Sequence, residues 1–597
     1  MERHSHISRG SLLSLALLLS LAASAQSISE ETARKKAEAF MQKQTGMAQA
    51  TKMRRAAAVQ PLAPSSVQFA PATASDGNQP IYLFNCDGGG YVIVSGDERT
   101  FDILGYSLLG EIDPASMPDN MRAWLSTYCT AIANLSEHAT APLSSTRAKQ
   151  AISPSTVTTW NQSDPYNRTV PYYTYTADNG AIRSEPAVTG CTATAMAQVM
   201  YYYRYPEAVK TKLSAYDGSF DLSLGKTTVT ATYSVPSVAP GTPIDWDNML
   251  PSYERGVSYT STQAEAVSRL MQYAGTAFKM QYGPSSAAYD SDVLAAMLTA
   301  FGYHDAYIFY DFSCDTYAEW TDRVYDELAA AGVVAISGQT PSGSSGHMFV
   351  LDGVQDDDFF HVNWGWGGYL DGYFKLSLMD PGTHQGAGGS TEGYSSQQAI
   401  IAGLGFEGKG ATTMEKAFEA ASMTLGEEGA RYTANSLGGY EIDNFELVFG
   451  NYHFNEVSAH PGLGIYDPSG NLVASREIGS DILSVRLLYY YTFTSSRITL
   501  SSLADGTYIV KPICSTSTGV KKDWRPMYRS DKTARYLTVK NGVATISATA
   551  PTAIESLPAS PAAADDTWRT LDGRTLPEKP TSPGVYLKGR EKILIGR

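Results

Sequence analysis

Thr189-Gly190-Cys191-Thr192-Ala193-Thr194-Ala195 sets a cysteine where a glycine-containing turn runs into a helical pattern. Downstream, Gly346-His347 opens a strand-like run, and Asn363-Trp364-Gly365-Trp366-Gly367-Gly368 closes the next one. A thiol attacks carbonyls only as thiolate, and a helix N-terminus or a nearby protonated histidine lowers its pKa. Gly190 permits a tight turn, and the helix entered at Thr192 offers N–H groups that favour negative charge. A histidine at the mouth of a sheet, as His347 is, can take the thiol proton and return it to a leaving amine. The Asn363 amide oxygen can hold the imidazole tautomer, and Trp364 can shield that bond from water. Gln162, in Trp160-Asn161-Gln162, supplies a side-chain N–H that would complete an oxyanion hole with the Cys191 backbone N–H. Taken singly, each residue has a plain structural reading: a small buried residue, a loop histidine, a tight Gly-Trp-Gly-Gly turn. Together, and in this order, they are the parts of a thiol protease.

The surrounding pattern predicts the frame. Residues 191–203 read as a helix with Met196, Val199, Met200 and Tyr203 on one face. Residues 262–278 and 290–301 read as two more. From Gly332 the period changes to strands at 333–337, 347–354, 359–364, 373–378 and 399–404. Helices first and an antiparallel sheet afterwards give an α+β class for residues 150–407.

Upstream, residues 1–10 carry Arg3 and Arg9, 11–22 are apolar, and Ala23-Ser24-Ala25 has the small-x-small pattern before a cut. Residues 1–25 therefore read as a secretory signal peptide, and a secreted or cell-surface location is expected. A helix over 27–45, with Ala33, Ala37 and Phe40 on one face, is followed by a loop over 48–78. A hairpin spans 81–94 around Asp87-Gly88-Gly89-Gly90, and a second helix covers 121–135. Residues 141–155, rich in Pro, Ser and basic side chains, look like a cleavable linker. Beyond residue 408 short strands and turn signals suggest a β-sandwich to about 550, then a linker and tail over 551–597.

Bulk properties bound the rest. A chain of 597 residues calls for several cores. A net charge of −15 argues against nucleic acid as a partner. No later run reaches the length of a membrane span, so no stable membrane insertion is expected. The five cysteines, Cys86, Cys129, Cys191, Cys314 and Cys514, are too sparse for a disulfide framework, although Cys86 with Cys129 is a possible pair. Neither CxxC nor HExxH occurs, so no metal site is expected.

Over about 81–405 the sequence resembles the streptopain family of secreted cysteine peptidases, which have a papain-like fold. The blocks are Trp160-Asn161-Gln162 with Pro165-Tyr166-Asn167, Thr189 through Ala195 with Ala197-Gln198 and Tyr205-Pro206, and Met280 with Tyr282-Gly283-Pro284-Ser285-Ser286. Gly346-His347, Phe349-Val350, Asp352-Gly353 and the run from His361 to Gly368 continue it. The papain-type Cys-Gly-x-Cys-Trp signature is absent. The resemblance implies Cys191 as nucleophile, His347 as general base and acid, and Asn363 and Gln162 as orienting and oxyanion residues. It implies a cleft lined by Ser286, Ala288 and Gly346, beside Trp364. Where the family has Gly-Ser after this serine, the chain has Ala287-Ala288, which puts subsite preference in doubt. It also implies that residues 26–149 are an inhibitory propeptide, with Lys149-Gln150 as a maturation site and 385–394 as a mobile loop. Asn85 on the hairpin is a candidate to disturb the catalytic histidine, and the tail resembles a sorting signal. No cofactor is expected, and the partners are protein and peptide substrates and the chain's own propeptide. Acyl transfer or small-amide hydrolysis at the same site, or an adhesion protein with a vestigial peptidase domain, are the rival readings.

Overall fold

A computed structural model describes residues 27–52, 64–67 and 79–550, except 116, 134, 136–140, 142–143, 145, 340–345, 356, 378–395, 407–408, 410 and 480. It adds the backbone of 568–569, 575–576, 584–588 and 591–595. The expected signal peptide and the glycine-rich loop at 385–394 lie outside the described residues.

The N-terminal region begins with helix α1 (Glu30–Lys52), longer than its apolar pattern suggested. Glu30–Arg34 and Glu31–Lys35 ion pairs at i,i+4 support its exposed side. Its Ala33, Ala37 and Met41 bury against Phe84, Val92 and Val94 of strands β1 (Pro64–Val67), β2 (Ile81–Cys86), β3 (Tyr91–Ser95) and β4 (Ile103–Ser107). Gly90 ends the hairpin turn at φ +99°, and a Cβ there would fall 2.8 Å from the Ser107 carbonyl, so only glycine fits. Helix α2 (Asp119–Ala133) covers the opposite face. The two faces explain why Cys86 and Cys129 do not pair: they lie in different cores, and both are free.

The central region contributes β5 (Tyr172–Thr176), β6 (Ile182–Pro186), α3 (Cys191–Tyr203), β7 (Tyr216–Ser223) and β8 (Thr228–Val235). Next come α4 (Ser261–Ala277), α5 (Asp290–Thr299), β9 (Tyr307–Tyr310) and α6 (Tyr317–Ala331). Strands β10 (Val334–Gln339), β11 (Gly346–Val354), β12 (Phe360–Asn363), β13 (Gly372–Phe374) and β14 (Ser396–Ala402) finish it. The helix–strand succession follows the sequence reading, with additions. Strands β5–β8 form a separate four-stranded sheet, and α6 is bounded by a Thr316 cap and a left-handed Gly332.

One antiparallel sheet crosses both regions, in the order β1-β2-β3-β4-β13-β12-β11-β10-β14-β9. The junction is β4 on β13, where Tyr106 faces Tyr373 and Gly105 faces Phe374. Helices α3, α4 and α5 pack on one face of its central strands with Met348, Val350 and Ala399. The other face, with Phe349, Leu351 and Val362, meets α2, α6 and part of the C-terminal region. Trp124 of α2 stands edge-on to Trp364 (5.5 Å between centroids) and Phe349 (5.6 Å).

The stretch expected to be a loose linker is stitched down at its C-terminal part. Lys149 Nζ, buried, lies 2.5 Å from Asp358 and 2.8 Å from Asp322. The Gln150 N–H donates to the Tyr325 hydroxyl (3.0 Å), and Ile152 bridges Val354. Composition marks such a segment as polar; it cannot reveal that one of its lysines has a buried carboxylate partner.

The C-terminal region is β-rich as expected. A three-stranded sheet of Glu419–Leu425, Tyr440–Asn451 and Tyr489–Leu500 shares a core with a larger sheet that includes Glu456–Tyr466 and Gly506–Ser515. Its buried His453 docks on β9: the Ile308 N–H donates to the His453 carbonyl (2.8 Å), and Nδ1 of His453 lies 3.1 Å from the Ile308 carbonyl. Nε2 of His453 lies 2.9 Å from Glu419. Among the described residues no helix is long and apolar enough to cross a membrane.

Candidate active site

The turn before α3 is held on two sides. The Thr189 N–H donates to the Gln162 carbonyl (3.1 Å), and the Val188 N–H donates to the Gly283 carbonyl (3.1 Å). Gly190 has φ +85°, and a Cβ would lie 2.8 Å from the Ser286 carbonyl and 3.0 Å from the Met280 sulfur. Left-handed backbone and close approach together demand glycine there. Cys191 is then the first residue of the helix, with its sulfur 4.0 Å from the Thr192 hydroxyl.

His347 is the second residue of β11, opposite Gly338 of β10. It is 2% exposed and lies nearly parallel to Trp366 at 5.1 Å between centroids. Nε2 is 3.2 Å from the Trp364 carbonyl. A carbonyl only accepts, so Nε2 carries the proton and the lone pair is on Nδ1. The next residue, Met348, shares a core with Ala193 and Met196 of α3, which sets the histidine strand against the cysteine helix.

Burial dominates the electrostatics of both groups. It pushes the Cys191 thiol up, against the pull of N–H groups from Met348, Thr192 and Cys191 and of the Thr192 hydroxyl. It pushes the His347 imidazole down to about 4, the Trp364 carbonyl opposing. At neutral pH both are uncharged in this form of the chain. Behind them, the Asp371 carboxyl, pushed up to about 7 by burial, accepts from the Trp364 N–H (3.0 Å).

The other expected residues lie in the neighbourhood with differing contacts. Asn363 is buried at the end of β12; its Nδ2 donates to the Thr158 carbonyl (2.6 Å), and its Oδ1 accepts from the Gly365 N–H (3.1 Å). Half-buried Gln162 is joined through its backbone to the turn before Cys191. The Ser286 hydroxyl is buried and donates to the Val188 carbonyl (2.8 Å), so it braces the turn. Ala288 is half-buried, Gly346 is exposed, and Trp364 donates Nε1–H to the Leu370 carbonyl (3.0 Å). Asn85 exchanges two hydrogen bonds with the backbone of Ile112, each 2.8 Å.

Thr158 was not singled out from the sequence, and Gln198 and Trp366 were named within longer blocks but given no role of their own. Gln198 had a readable signal: it lies seven residues after Cys191, on the same face of a helix that is otherwise apolar there.

Residues 160–374 match the peptidase C10 family, and residues 25–132 match the Spi protease inhibitor family. Streptopain of Streptococcus pyogenes is 32% identical over 330 residues, covering 54% of this chain and 80% of that one. The thiol protease/hemagglutinin PrtT of Porphyromonas gingivalis is 31% identical over 323 residues, 53% of this chain and 36% of that one. A solved fragment of Prevotella intermedia prointerpain A is 26% identical, covering 57% of this chain and 98% of the fragment at a TM-score of 0.46. The chain belongs to the streptopain family of cysteine peptidases and carries an inhibitory propeptide domain ahead of its papain-like catalytic domain.

Proposed function

We propose that the chain is exported as a latent endopeptidase that hydrolyses proteins through an acyl-thioenzyme at Cys191. His347 Nδ1 takes the thiol proton, the thiolate adds to the scissile carbonyl, and the tetrahedral oxyanion is met by the Cys191 N–H and the Gln162 side chain. The imidazolium returns the proton to the leaving amine, and water, deprotonated by the same imidazole, then releases the acid. Asn363 orients the imidazole, while Ala288 and Gly346 border the substrate.

The observation that carries this reading is that β11, which bears His347 with its lone pair on Nδ1, packs through Met348 and Val350 on the helix that Cys191 opens. Latency is supported by the match of residues 25–132 to a protease inhibitor family and by Trp124 of α2, which packs on Trp364 and Phe349 beside His347. Export is supported by the charged, apolar and small-residue succession over 1–25.

The test is casein hydrolysis by the parent chain and by Cys191→Ala, with a reducing agent present to keep the thiol from oxidation. Proteolysis is expected to vanish in the variant, and the variant is expected to persist at full length. Undiminished casein cleavage by Cys191→Ala would overturn the reading.

A further inference from the structure

Asn363 is held from a direction that the catalytic roles do not explain. Its Nδ2 donates 2.6 Å to the backbone carbonyl of Thr158. The Thr158 hydroxyl donates in turn to Oε1 of Gln198 at 2.8 Å. Thr158 is 4% exposed and Gln198 0%, so neither bond competes with water. Gln198 Nε2 is buried with no partner among the described residues; it lies against Gly365, where a Cβ would be 3.9 Å away. Leaving a buried amide half-satisfied is costly, and such groups persist where they serve a purpose.

The geometry gives that purpose. With Nδ2 committed to Thr158, Asn363 Oδ1 faces the N–H of Gly365, 3.1 Å away. That bond shapes the 364–365 turn, with Gly365 at φ +74°, and the turn presents the Trp364 carbonyl to Nε2 of His347. A reversed amide would set NH₂ against N–H and carbonyl against carbonyl, so the hydrogen bonds admit one orientation.

We propose that Thr158 and Gln198 are positioning residues of the peptidase, a buried pair that fixes Asn363 and, through it, the imidazole of His347. The inference rests on the peptidase reading with Cys191, His347 and Asn363 in their proposed roles. Thr158 and Gln198 themselves touch neither substrate nor the reacting atoms. Their effect therefore belongs in kcat and in the pH profile, not in substrate affinity.

The experiment is a mutant cycle on enzyme matured from the full chain. Thr158→Val keeps the shape and removes the hydroxyl. Its kcat on a peptide substrate is expected to fall about tenfold, the worth of one unmade buried hydrogen bond expressed in transition-state free energy. KM should stay within about twofold, since no ground-state contact is lost. The pH dependence of Cys191 alkylation by iodoacetamide should shift, because a misaligned imidazole stabilises the thiolate less. Thr158→Ser restores the hydroxyl and should restore kcat. In an Asn363→Ala background Thr158→Val should cost nothing further, because its route of action is gone. Should Thr158→Val fail to fold, Gln198→Met carries the same cycle.

Parent-like kcat in Thr158→Val, or an equal further loss in the Asn363→Ala background, overturns the proposal while leaving the peptidase reading intact. If Cys191→Ala keeps full activity, it is the peptidase reading itself that falls.

Discussion

Trp124 tests how the propeptide holds the enzyme shut. Its indole is 1% exposed and meets Trp364 and Phe349 edge-on, and both of those rings stack beside His347. Replacing a buried tryptophan by alanine costs about 3–5 kcal/mol, and edge-to-face aromatic pairs account for part of it. Taking about 3 kcal/mol as the share that falls on propeptide docking, the open population should rise about 150-fold. Limited trypsinolysis of the full-length Cys191→Ala chain reads that population. Arg122 lies within α2 itself, and the buried Lys149 is paired with Asp358 and Asp322. Cleavage at these sites requires opening, and when closing outpaces cleavage the rate follows the open fraction. Trp124→Ala, added to Cys191→Ala, should therefore lose its propeptide about a hundred times faster, whereas Trp124→Phe should show a much smaller change. A cleavage rate within threefold of the Cys191→Ala parent, in a variant shown to be folded, would refute the claim that this aromatic contact secures the propeptide.

Lys149→Met in the Cys191→Ala chain should lower stability to urea by about 3–5 kcal/mol, because it leaves the buried Asp358 carboxylate without its cation; an unchanged midpoint would show the pair to be dispensable. His347 gives a pH signature. Its folded pKa of about 4 lies below the ordinary 6.5, so the unfolded chain takes up a proton first. Its contribution, at most about 3 kcal/mol, is lost as pH falls from about 6.5 to about 4. Asp371, raised to about 7, acts in the opposite sense, losing stability as pH rises through that range, so the comparison must be parent against His347→Gln, and parallel urea curves at pH 4 and pH 7 would contradict the assignment. His453→Ala should cost about 2–4 kcal/mol and free the C-terminal region from β9, because the buried Glu419 loses the imidazole and is left with the Ser313 hydroxyl; intact protection of Ile308 from hydrogen exchange would argue otherwise.

The place of Cys191 at a helix start was legible because Gly190 and the apolar period after Cys191 are local signals. The helices α3, α4 and α5 and the strands around His347 follow the same logic of period and punctuation. Helix α6 had its signals too, a Thr316 cap and a Gly332 stop, yet its mixed pattern hid it. The pairing of β4 with β13 was not legible, since the two strands are far apart in sequence and nothing local encodes a partner. Thr158 escaped for a related reason: its important atom is a backbone carbonyl, and every residue has one. The buried state of Lys149 was hidden by a composition that elsewhere marks open chain.

The ends of the catalytic sheet differ in how permanently they are covered. At β9 the cover is the C-terminal region, with His453 occupying the N–H and carbonyl of Ile308. At β13 the cover is β4, within the region that matches the protease inhibitor family. Without β4 the edge would expose Gly372–Phe374 and the Lys375 N–H, which here donates to the Leu104 carbonyl (2.9 Å). An edge that short, next to a lysine, offers little template for another chain's strand. Removal of the four strands β1–β4 would therefore leave only a short unpaired border on the sheet.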